Sequence, residues 1–308
     1  MRDEKKPTAR VTPLYFLSGP TASGKTALAH ALADRMGLRL CSADSMMVYR
    51  HMNIGTAKPT PDEIAQYDYA GLDLVEPGVQ YSTGAWLQDI RQQLDDRPTL
   101  VVGGTGLYFR ALIHGLPEED ATATDTDENP AILREQIRAI NPEALSKIAD
   151  PENPRRLERA LAWLKAGKPL PEQWRDQSDF PLPVLSVPVQ ELNQRIHARA
   201  ADMFAHGLPE EARGLRERLG ALTGTCAQAI GYREAFSVLD GDLTVSEAVE
   251  AVARRTRRYA KRQRTWFRNQ MDARWVNRVE DRSAEAVLRE IEKIWNKTGP
   301  FPFDRSPS

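Results

Sequence analysis

Residues 19–26 constrain the fold of this chain more than any other segment, because they read Gly-Pro-Thr-Ala-Ser-Gly-Lys-Thr. This order fits the pattern G-x-x-x-x-G-K-S/T of a phosphate-binding loop, or P-loop. The apolar run 14–18 precedes the loop, and residues 27–36 that follow it have helical apolar spacing. Since a P-loop needs a strand before it and a helix after it, the segment predicts an α/β fold with a P-loop NTPase-like parallel sheet core flanked by helices.

Two other apolar runs end in polar or glycine residues, as the first one does. Residues 38–43 end at Asp44, and residues 99–102 end at a glycine pair that Thr105 follows. Strands that alternate with helices form a parallel sheet, and ligands bind at the carboxyl ends of its strands. We therefore expect Asp44 and Thr105 to lie beside the P-loop.

The chain has 308 residues, and its character changes after about residue 116. Acidic residues, Pro and Thr crowd residues 117–130, and helical patterns follow up to residue 165. This indicates an inserted all-helical lobe within the sheet core. The predicted segments are a flexible tail (1–13), the first part of the core (14–116), the helical insertion (117–182), the second part of the core (183–296) and a second flexible tail (297–308).

The second part of the core is predicted to begin with a strand and to end in basic helices. The apolar run 183–189 indicates the strand, and residues 193–219 and 245–270 have the pattern of two long helices.

Overall composition excludes several classes of protein. The formal net charge is −1, so a nucleic-acid surface must come from local segregation of charge. Cys41 and Cys226 are the only cysteines, which predicts neither a disulfide framework nor a zinc site and fits a reducing cytosol. The chain has no apolar run of about 18 residues and no apolar signal segment, so we expect neither a membrane span nor secretion.

The P-loop residues have defined chemistry. Its glycines let backbone amides close around phosphate oxygens at a helix N-terminus, Lys25 adds a positive charge, and the Thr26 hydroxyl can ligate Mg²⁺. The motif identifies neither the phosphate compound nor the part of it that is transferred. The predicted diphosphate-binding or nucleotide-binding residues are Gly19, Pro20, Thr21, Ala22, Ser23, Gly24, Lys25 and Thr26.

Asp44 and Thr105 each have two interpretations. A carboxylate after the second strand is placed to act as a general base or metal ligand, but it could equally cap a helix or stand in a turn. Thr105, between glycines, could orient an acceptor or a phosphate, or stand in a turn that needs glycine for packing. Position alone leaves both alternatives open.

Residues 254–268 carry eight cationic side chains and no acidic one. A solvated helix face usually mixes charges, so this run indicates a polyanionic partner. Helical spacing places four of the cations on one face that Trp266 extends: Arg254, Arg258, Lys261 and Arg262. The alternative is a run that is only solvated, or that pairs with Glu247 and Glu250. A smaller basic cluster, Arg155, Arg156 and Arg159, lies in the helical insertion, and the two clusters together suggest a clamp.

Taken together, these segments resemble the tRNA dimethylallyltransferase (tRNA isopentenyltransferase, IPP transferase) family along nearly the whole chain. The resemblance implies transfer of a dimethylallyl group from dimethylallyl diphosphate to N6 of the adenosine 3′-adjacent to the anticodon in tRNA, with Mg²⁺. The segments that carry it are residues 19–26, 42–45, 49–50, 54–59, 102–108, 153–161, 229–234, 261–263 and 265–267, with Thr256.

The resemblance also implies roles for single residues. The P-loop would hold the donor diphosphate with Thr26 on Mg²⁺, Asp44 would be the general base, Thr105 its companion and Arg213 a further cation on the diphosphate. Residues expected to contact tRNA, including three from the basic run, are Asp44, Ser45, Met46, Met47, Arg155, Arg156, Leu157, Glu158, Arg159, Cys226, Ala227, Gln228, Ala229, Ile230, Gly231, Tyr232, Arg233, Arg255, Arg258 and Arg262. The chain departs from the family pattern at Met47, His51 and Asn53, where Gln, Gly and Asp are usual.

The expected protein is thus a cytoplasmic monomer that binds dimethylallyl diphosphate and the anticodon stem-loop of tRNA. Two other classes remain as alternatives. A small-molecule or nucleoside kinase shares the P-loop and an Asp after the second strand, but it would not need the basic run. A non-catalytic RNA-binding protein would need that run, but it leaves Lys25, Asp44 and Thr105 unexplained.

Overall fold

The structure is a computed structural model, and it describes most of the chain apart from its ends and some internal stretches. The described residues are 10–116, 129–148, 151–168, 170, 178–220 and 226–306. They divide into two units, of which the first comprises Met1–His114 with Ser178–Ser308 and the second Gly115–Gln177. No helix in the described part of the chain is both long enough and apolar enough to cross a membrane.

A six-stranded sheet forms the centre of the first unit. Five strands are parallel in the order β2-β3-β1-β4-β5, and the last strand, β6, pairs antiparallel with β1. The parallel α/β core predicted from the strand–helix alternation is therefore confirmed. The strands are β1 Val11–Ser18, β2 Arg39–Ala43, β3 Thr99–Gly103, β4 Ser178–Ser186, β5 Met271–Asn277 and β6 Phe301–Asp304.

Eleven α-helices accompany these strands among the described residues. Two 3₁₀ turns, Ala144–Lys147 and Cys226–Gln228, lie between them. The helices are α1 Lys25–Met36, α2 Pro61–Tyr67, α3 Thr83–Gln93, α4 Gly106–His114, α5 Pro130–Ile140, α6 Pro154–Lys165, α7 Val189–Ala205, α8 Leu208–Leu219, α9 Tyr232–Leu239, α10 Val245–Gln270 and α11 Ala284–Thr298.

The centre of the sheet is buried on both faces, which explains why β3 and the second half of β1 read as continuous apolar runs. Side chains alternate between the faces along each strand. Phe16 packs into one cluster with Trp86 and Phe109, whereas the next residue, Leu17, packs into a second cluster with Leu32 and Leu100. Helices therefore cover both faces, and only the strand ends are left for a site.

Both predicted tails are partly ordered into the sheet, so those predictions were wrong. Strand β1 already begins at Val11, inside the expected N-terminal tail. At the other end, Phe301–Asp304 forms β6, where Phe303 is buried and the Phe301 ring lies 5.9 Å from the Phe16 ring. The Pro- and Ser-rich composition concealed this strand, because its stability comes from alternate aromatic side chains. Residues 1–9 and 307–308 lie outside the described part of the chain.

Two boundaries in the second part of the core also differ from the prediction. The returning strand begins at Ser178 rather than at residue 183, so the insertion is shorter than expected. The helix expected at 193–219 is two helices, because the chain breaks at Gly207, whose φ of +98° no helix allows. Helix α10 spans the predicted residues 245–270, and Thr244 and Glu247 form a capping box at its start.

The residues described in the second unit, 115–116, 129–148, 151–168 and 170, form helices α5 and α6, one 3₁₀ turn and connecting turns, and they include no strand. Helices α5 and α6 pack around a small apolar core of their own, to which Leu133, Ile137 and Leu157 belong. Asn129 caps α5 and Pro begins both helices, which is the usual chemistry of a helix start. The unit thus has the local signals and the apolar face that a separate helical lobe needs.

Candidate active site at the carboxyl edge of the sheet

The P-loop connects β1 to α1 at the carboxyl edge of the sheet, as the motif predicts. Helix α1 begins at Lys25 and has no side-chain cap, so its first amides are available to an anion. The Ser23 hydroxyl is buried with no hydrogen-bond partner in the part of the chain that the structure describes. An unpaired hydroxyl beside free helix amides is the local structure expected of a loop that binds phosphate oxygens.

Two half-buried cations and one carboxylate surround this loop. Partial burial lowers the pKa of Lys25 to about 8, the charge of Asp44 opposes that change, and the charge of Arg199 adds to it. Partial burial likewise lowers the pKa of Arg199, and Asp44 again opposes it. The Arg199 guanidinium also donates a hydrogen bond of 3.5 Å to the Thr21 hydroxyl. Because two half-buried cations share one carboxylate, the site is electrostatically suited to an anion.

Arg199 was not among the predicted residues, and it has the position expected of Arg213. Arg213 is exposed on α8, and no hydrogen bond or ion pair among the described residues joins it to the P-loop. Arg199 instead lies on α7, one helical turn after Arg195, which donates to the Ser23 carbonyl. The structure therefore brings Arg199 to the P-loop, and the role expected of Arg213 stays a prediction. Two arginines four residues apart on a helix were the available signal.

Asp44 and Thr105 meet beside the P-loop. Asp44 follows β2, and its carboxylate accepts a 2.9 Å hydrogen bond from the Met46 amide. Thr105 follows β3, and its hydroxyl accepts a 3.0 Å bond from the Ser45 amide. The Thr105 amide in turn donates to the Ala43 carbonyl at 3.1 Å. Asp44 does take part in the turn that was one of its two interpretations, yet it also acts electrostatically on Lys25.

Helix α10 covers this edge with one face. Burial and the charge of Asp44 raise the pKa of Tyr259, and hydrogen bonds with Thr105 and Gln263 partly offset that increase. Gln263 is buried, and the Trp266 ring fills the space beside Gly106. Trp266 therefore faces the protein, and the prediction that it extends the cationic face was wrong. Tyr259, Gln263 and Trp266 recur at helical spacing on the face that packs onto the site.

The other face of α10 carries the basic run. Its exposed cations include the four that helical spacing placed together: Arg254, Arg258, Lys261 and Arg262. Arg255 is different, because it pairs at 2.7 Å with the buried carboxylate of Glu234. The predicted contact of Arg255 with tRNA would compete with this ion pair. The acidic residues before the run do not pair with it, since Glu247 caps the helix and Glu250 pairs with His197.

Comparison with known proteins identifies the family. A family model described as IPP transferase matches residues 47–270, and one described as isopentenyl transferase matches residues 12–73. A tRNA dimethylallyltransferase of Geobacillus thermodenitrificans is 37% identical, over 90% of this chain and 94% of its own. That of Anaeromyxobacter sp. (strain K) is 40% identical, over 90% and 96%. The chain belongs to the IPP transferase family.

Solved structures agree with this assignment. The tRNA isopentenylpyrophosphate transferase of Bacillus halodurans superposes with a TM-score of 0.68 at 32% identity, covering 92% of this chain and 96% of that one. A eukaryotic dimethylallyltransferase, described as acting on tRNA, has a TM-score of 0.76 at 22% identity, covering 96% of this chain and 82% of that one, which shows the shared fold. The resemblance seen in the sequence motifs is confirmed.

The residues expected to touch tRNA in this IPP transferase are only partly at the surface. Among the described side chains of residues 226–233, Ala227 and Arg233 are exposed. Tyr232 is buried and donates a 2.6 Å bond to Glu211, and Cys226 accepts one of 3.2 Å from the Gly78 amide. Four residues of the set are buried and shape the segment: Cys226, Ala229, Gly231 and Tyr232. The side chain of Gln228 is not among those described.

The same distinction holds within the helical insertion. Leu157 and Glu158 are buried in the core of that unit, so we assign them to its packing. Arg156 is exposed and Arg159 half-buried, whereas the side chain of Arg155 is not among those described. At the β2 end, Ser45, Met46 and Met47 are all half-buried, and the Met47 sulfur accepts a 3.5 Å bond from the Ser42 hydroxyl.

Proposed function

We propose that this protein transfers a dimethylallyl group from dimethylallyl diphosphate to N6 of the adenosine 3′-adjacent to the anticodon in tRNA, giving N6-(dimethylallyl)adenosine and diphosphate. The observation that carries the proposal is a carboxylate, Asp44, beside a P-loop with two half-buried cations and beneath the face of a helix whose opposite side is cationic. Membership of a family whose named relatives are tRNA dimethylallyltransferases supports it.

The donor diphosphate binds in the P-loop in this proposal. The amides at the start of α1 and the half-buried side chains of Lys25 and Arg199 receive its charge. When the allylic C–O bond breaks, its electron pair leaves with the diphosphate, whose negative charge then increases. Fixed donors and cations that already point at that position lower the barrier to this step.

The residues present fit a Mg²⁺ ion held largely by the donor. The described residues contain no cluster of three or more His, Cys, Asp or Glu side chains that could hold a metal alone. They do offer the Thr26 hydroxyl, next to Lys25 at the start of α1. Mg²⁺ prefers such oxygen ligands, keeps several waters and is commonly completed by substrate phosphates. When bound, the ion would neutralise part of the diphosphate charge.

The acceptor amine needs help of another kind. The lone pair of an exocyclic adenine amine is delocalised into the ring, so the amine is a weak nucleophile. As its new N–C bond forms, the amine must lose a proton, and Asp44 is placed to accept it. Thr105 and Tyr259 lie beside Asp44, where they can orient the base. The adenosine must first leave its stack, which costs a few kcal/mol.

The exposed cations of α10 supply binding energy for that step. Arg254, Arg258 and Lys261 can neutralise backbone phosphates, and Arg262, whose guanidinium lies 5.7 Å from the Tyr259 ring, can do so nearest the site. We also propose that the helical insertion binds tRNA through Arg156 and Arg159, and that the protein acts as a monomer. Cys41 and Cys226 are both free and buried, which fits action in the cytosol.

Mass spectrometry of nucleosides tests this function. The protein is incubated with dimethylallyl diphosphate, Mg²⁺ and a tRNA that carries adenosine next to the anticodon, and the tRNA is then digested. We expect N6-(dimethylallyl)adenosine from this tRNA and none from a matched tRNA with guanosine at that position. A parallel reaction with ATP and nucleosides measures phosphoryl transfer. Phosphoryl transfer without any prenylated nucleoside would show that the protein is a kinase instead.

A further inference from the structure

Gln263 joins the donor loop to the acceptor turn. Its side-chain oxygen accepts a 2.9 Å hydrogen bond from the amide of Thr21 in the P-loop. Its side-chain nitrogen donates a 2.9 Å bond to the carbonyl of Gly104, directly before Thr105. A side-chain amide can accept from one backbone group and donate to another without carrying charge. Gln263 is therefore satisfied at both ends by the two segments that hold the reactants.

The surroundings leave this side chain almost no freedom. Gln263 is 5% exposed. A Cβ atom on Gly104 would lie 2.1 Å from its amide nitrogen, and one on Gly106 would lie 2.0 Å from the ring of Trp266. The turn that carries Thr105 thus packs directly onto α10, and glycine is required for that approach. A contact this close fixes the turn relative to the helix.

The P-loop end of the bridge is equally specific. The Thr21 hydroxyl accepts a 3.5 Å hydrogen bond from Arg199, and the Thr21 amide donates one to Gln263. One loop residue therefore connects Arg199 to α10. The Thr21 amide consequently points to Gln263. This amide serves as an anchor of the loop, and the phosphate is left to the amides at the start of α1.

We propose that Gln263 is a positioning residue that sets the separation between the diphosphate of the donor and the amine of the acceptor, an inference that rests on the proposed function. Reacting atoms must approach to about 3–3.5 Å, and a misplacement of about 1 Å can lower a rate by about 100-fold. Gln263 touches neither reactant. It holds the P-loop and the Gly104 turn at one distance, and its loss leaves both substrates bound but poorly aligned.

Single-turnover kinetics of Gln263→Met test the inference, because Met keeps the length of the side chain and lacks both hydrogen-bonding groups. We expect the rate at saturating donor and tRNA to fall by about 10- to 100-fold per folded molecule. The KM for tRNA should change less than about twofold, since the exposed cations of α10 remain. Asn269→Met, an exposed change on the same helix, serves as the matched control. A rate within about twofold of wild type would overturn the inference.

Gln263→Glu allows a second test, because its single-turnover rate should depend on pH in a way that a purely structural role of Gln263 does not predict. An ionised carboxylate still accepts from Thr21 but repels the Gly104 carbonyl, whereas the protonated acid regains the donor. The single-turnover rate of this variant relative to wild type should therefore rise as the pH falls. Lys25, Asp44, Tyr259, Arg262 and Arg199 surround the site in both proteins, so the ratio isolates residue 263. A ratio that does not change with pH contradicts the inference, even if Gln263→Met fails to fold.

Calorimetry with inorganic diphosphate and Mg²⁺ separates this inference from the proposed function. If wild type forms no prenylated tRNA, the proposed function fails, but the anchor on the P-loop can still be measured. Gln263→Met should then weaken diphosphate binding by about threefold to tenfold, the equivalent of one ordinary hydrogen bond. An affinity equal to that of wild type and of Asn269→Met would overturn the anchor as well.

Discussion

The P-loop and the outer face of α10 both carry positive charge, but in opposite physical settings. Lys25 and Arg199 are half-buried beside the P-loop, and the loss of hydration there lowers the pKa of both. Arg254, Arg258 and Lys261 are exposed along one face of a helix. Partly buried cations act over short distances on one well-placed anion, and salt screens them little. Exposed cations act on a long polyanion through counterion release, so their contribution falls with salt.

The most direct way to disrupt the P-loop site is to remove the carboxylate that Lys25 and Arg199 share. Asp44→Asn should lower the single-turnover rate by about 10²- to 10⁴-fold, because the amine proton loses its acceptor. Affinity for tRNA should change little, since the exposed face of α10 is intact. Rapid-quench kinetics and filter binding measure the two effects separately.

Asp62→Asn, at an exposed position on α2, is the matched control for that change. It should behave as wild type in both assays. If Asp44→Asn retained a rate within about threefold of the control, Asp44 would not be the base. The P-loop and the outer face of α10 would then differ only in how they bind anions.

The pH dependence of donor binding distinguishes Lys25 from the exposed cations of α10. Lys25 has a pKa of about 8 in the free protein, so it is charged below that pH and neutral above it. A bound diphosphate favours the charged form. Affinity for a non-reactive dimethylallyl diphosphate analogue should thus be flat below pH 8 and fall up to about tenfold per unit above it.

Calorimetry at about pH 7 and pH 9 measures this dependence, with Lys25→Met as the control. The variant shares the titration of the ligand but lacks that of the lysine. If wild type and Lys25→Met lost affinity equally between these pH values, Lys25 would have no part in the effect.

Local patterns predicted most of this site, and long-range packing decided the rest. The P-loop motif, with the strand before it, located Lys25, and strand ends located Asp44 and Thr105 correctly. Arg199 was missed because nothing in its helix shows which face meets the loop. Trp266 was placed on the wrong face for the same reason, since the partner that it packs against, Gly106, lies 160 residues earlier in the chain.

The fold shows a similar division. Apolar runs predicted β1 to β4 at or near their positions, whereas β5 and β6 were not expected. Strand β5 contains Asp272, Arg274 and Asn277 among its seven residues, so its pattern resembles an exposed segment. Strand β6 is only four residues long. Such strands form because a neighbouring strand offers them an edge, and that information is not local.

A substitution of Arg255 tests whether α10 carries both a paired, partly buried cation and exposed cations. Its ion pair with the buried Glu234 predicts that Arg255→Gln lowers the free energy of unfolding by about 1–3 kcal/mol, because a charged hydrogen bond is removed. Arg258→Gln, the exposed neighbour nearly one turn on, should change it by less than about 0.5 kcal/mol. Urea denaturation measures both. Equal stabilities would mean that Arg255 belongs with the exposed cations.

The smallest expected effect concerns the salt dependence of tRNA binding. Replacing Arg254, Arg258 and Lys261 by Gln should flatten the log–log slope of affinity against salt by about 0.7–0.9 for each phosphate group that the protein no longer neutralises. The KM for dimethylallyl diphosphate should stay constant, since that substrate binds to Lys25 and Arg199. Fluorescence titration over a range of salt concentrations gives the slope, and an unchanged slope in a folded triple variant would place tRNA on other residues.

The pairing of β6 with β1 has a consequence for how the chain is made. β1 is synthesised early, yet along Val11–Leu14 its partner is Phe301–Asp304. At about 5–20 residues per second, the roughly 290 residues between Val11 and Asp304 take about 15–60 s to translate. During that interval the first half of β1 has an unpaired edge, the kind that recruits strands of other chains. Protection of nascent chains should therefore affect the yield of this protein more than its final stability.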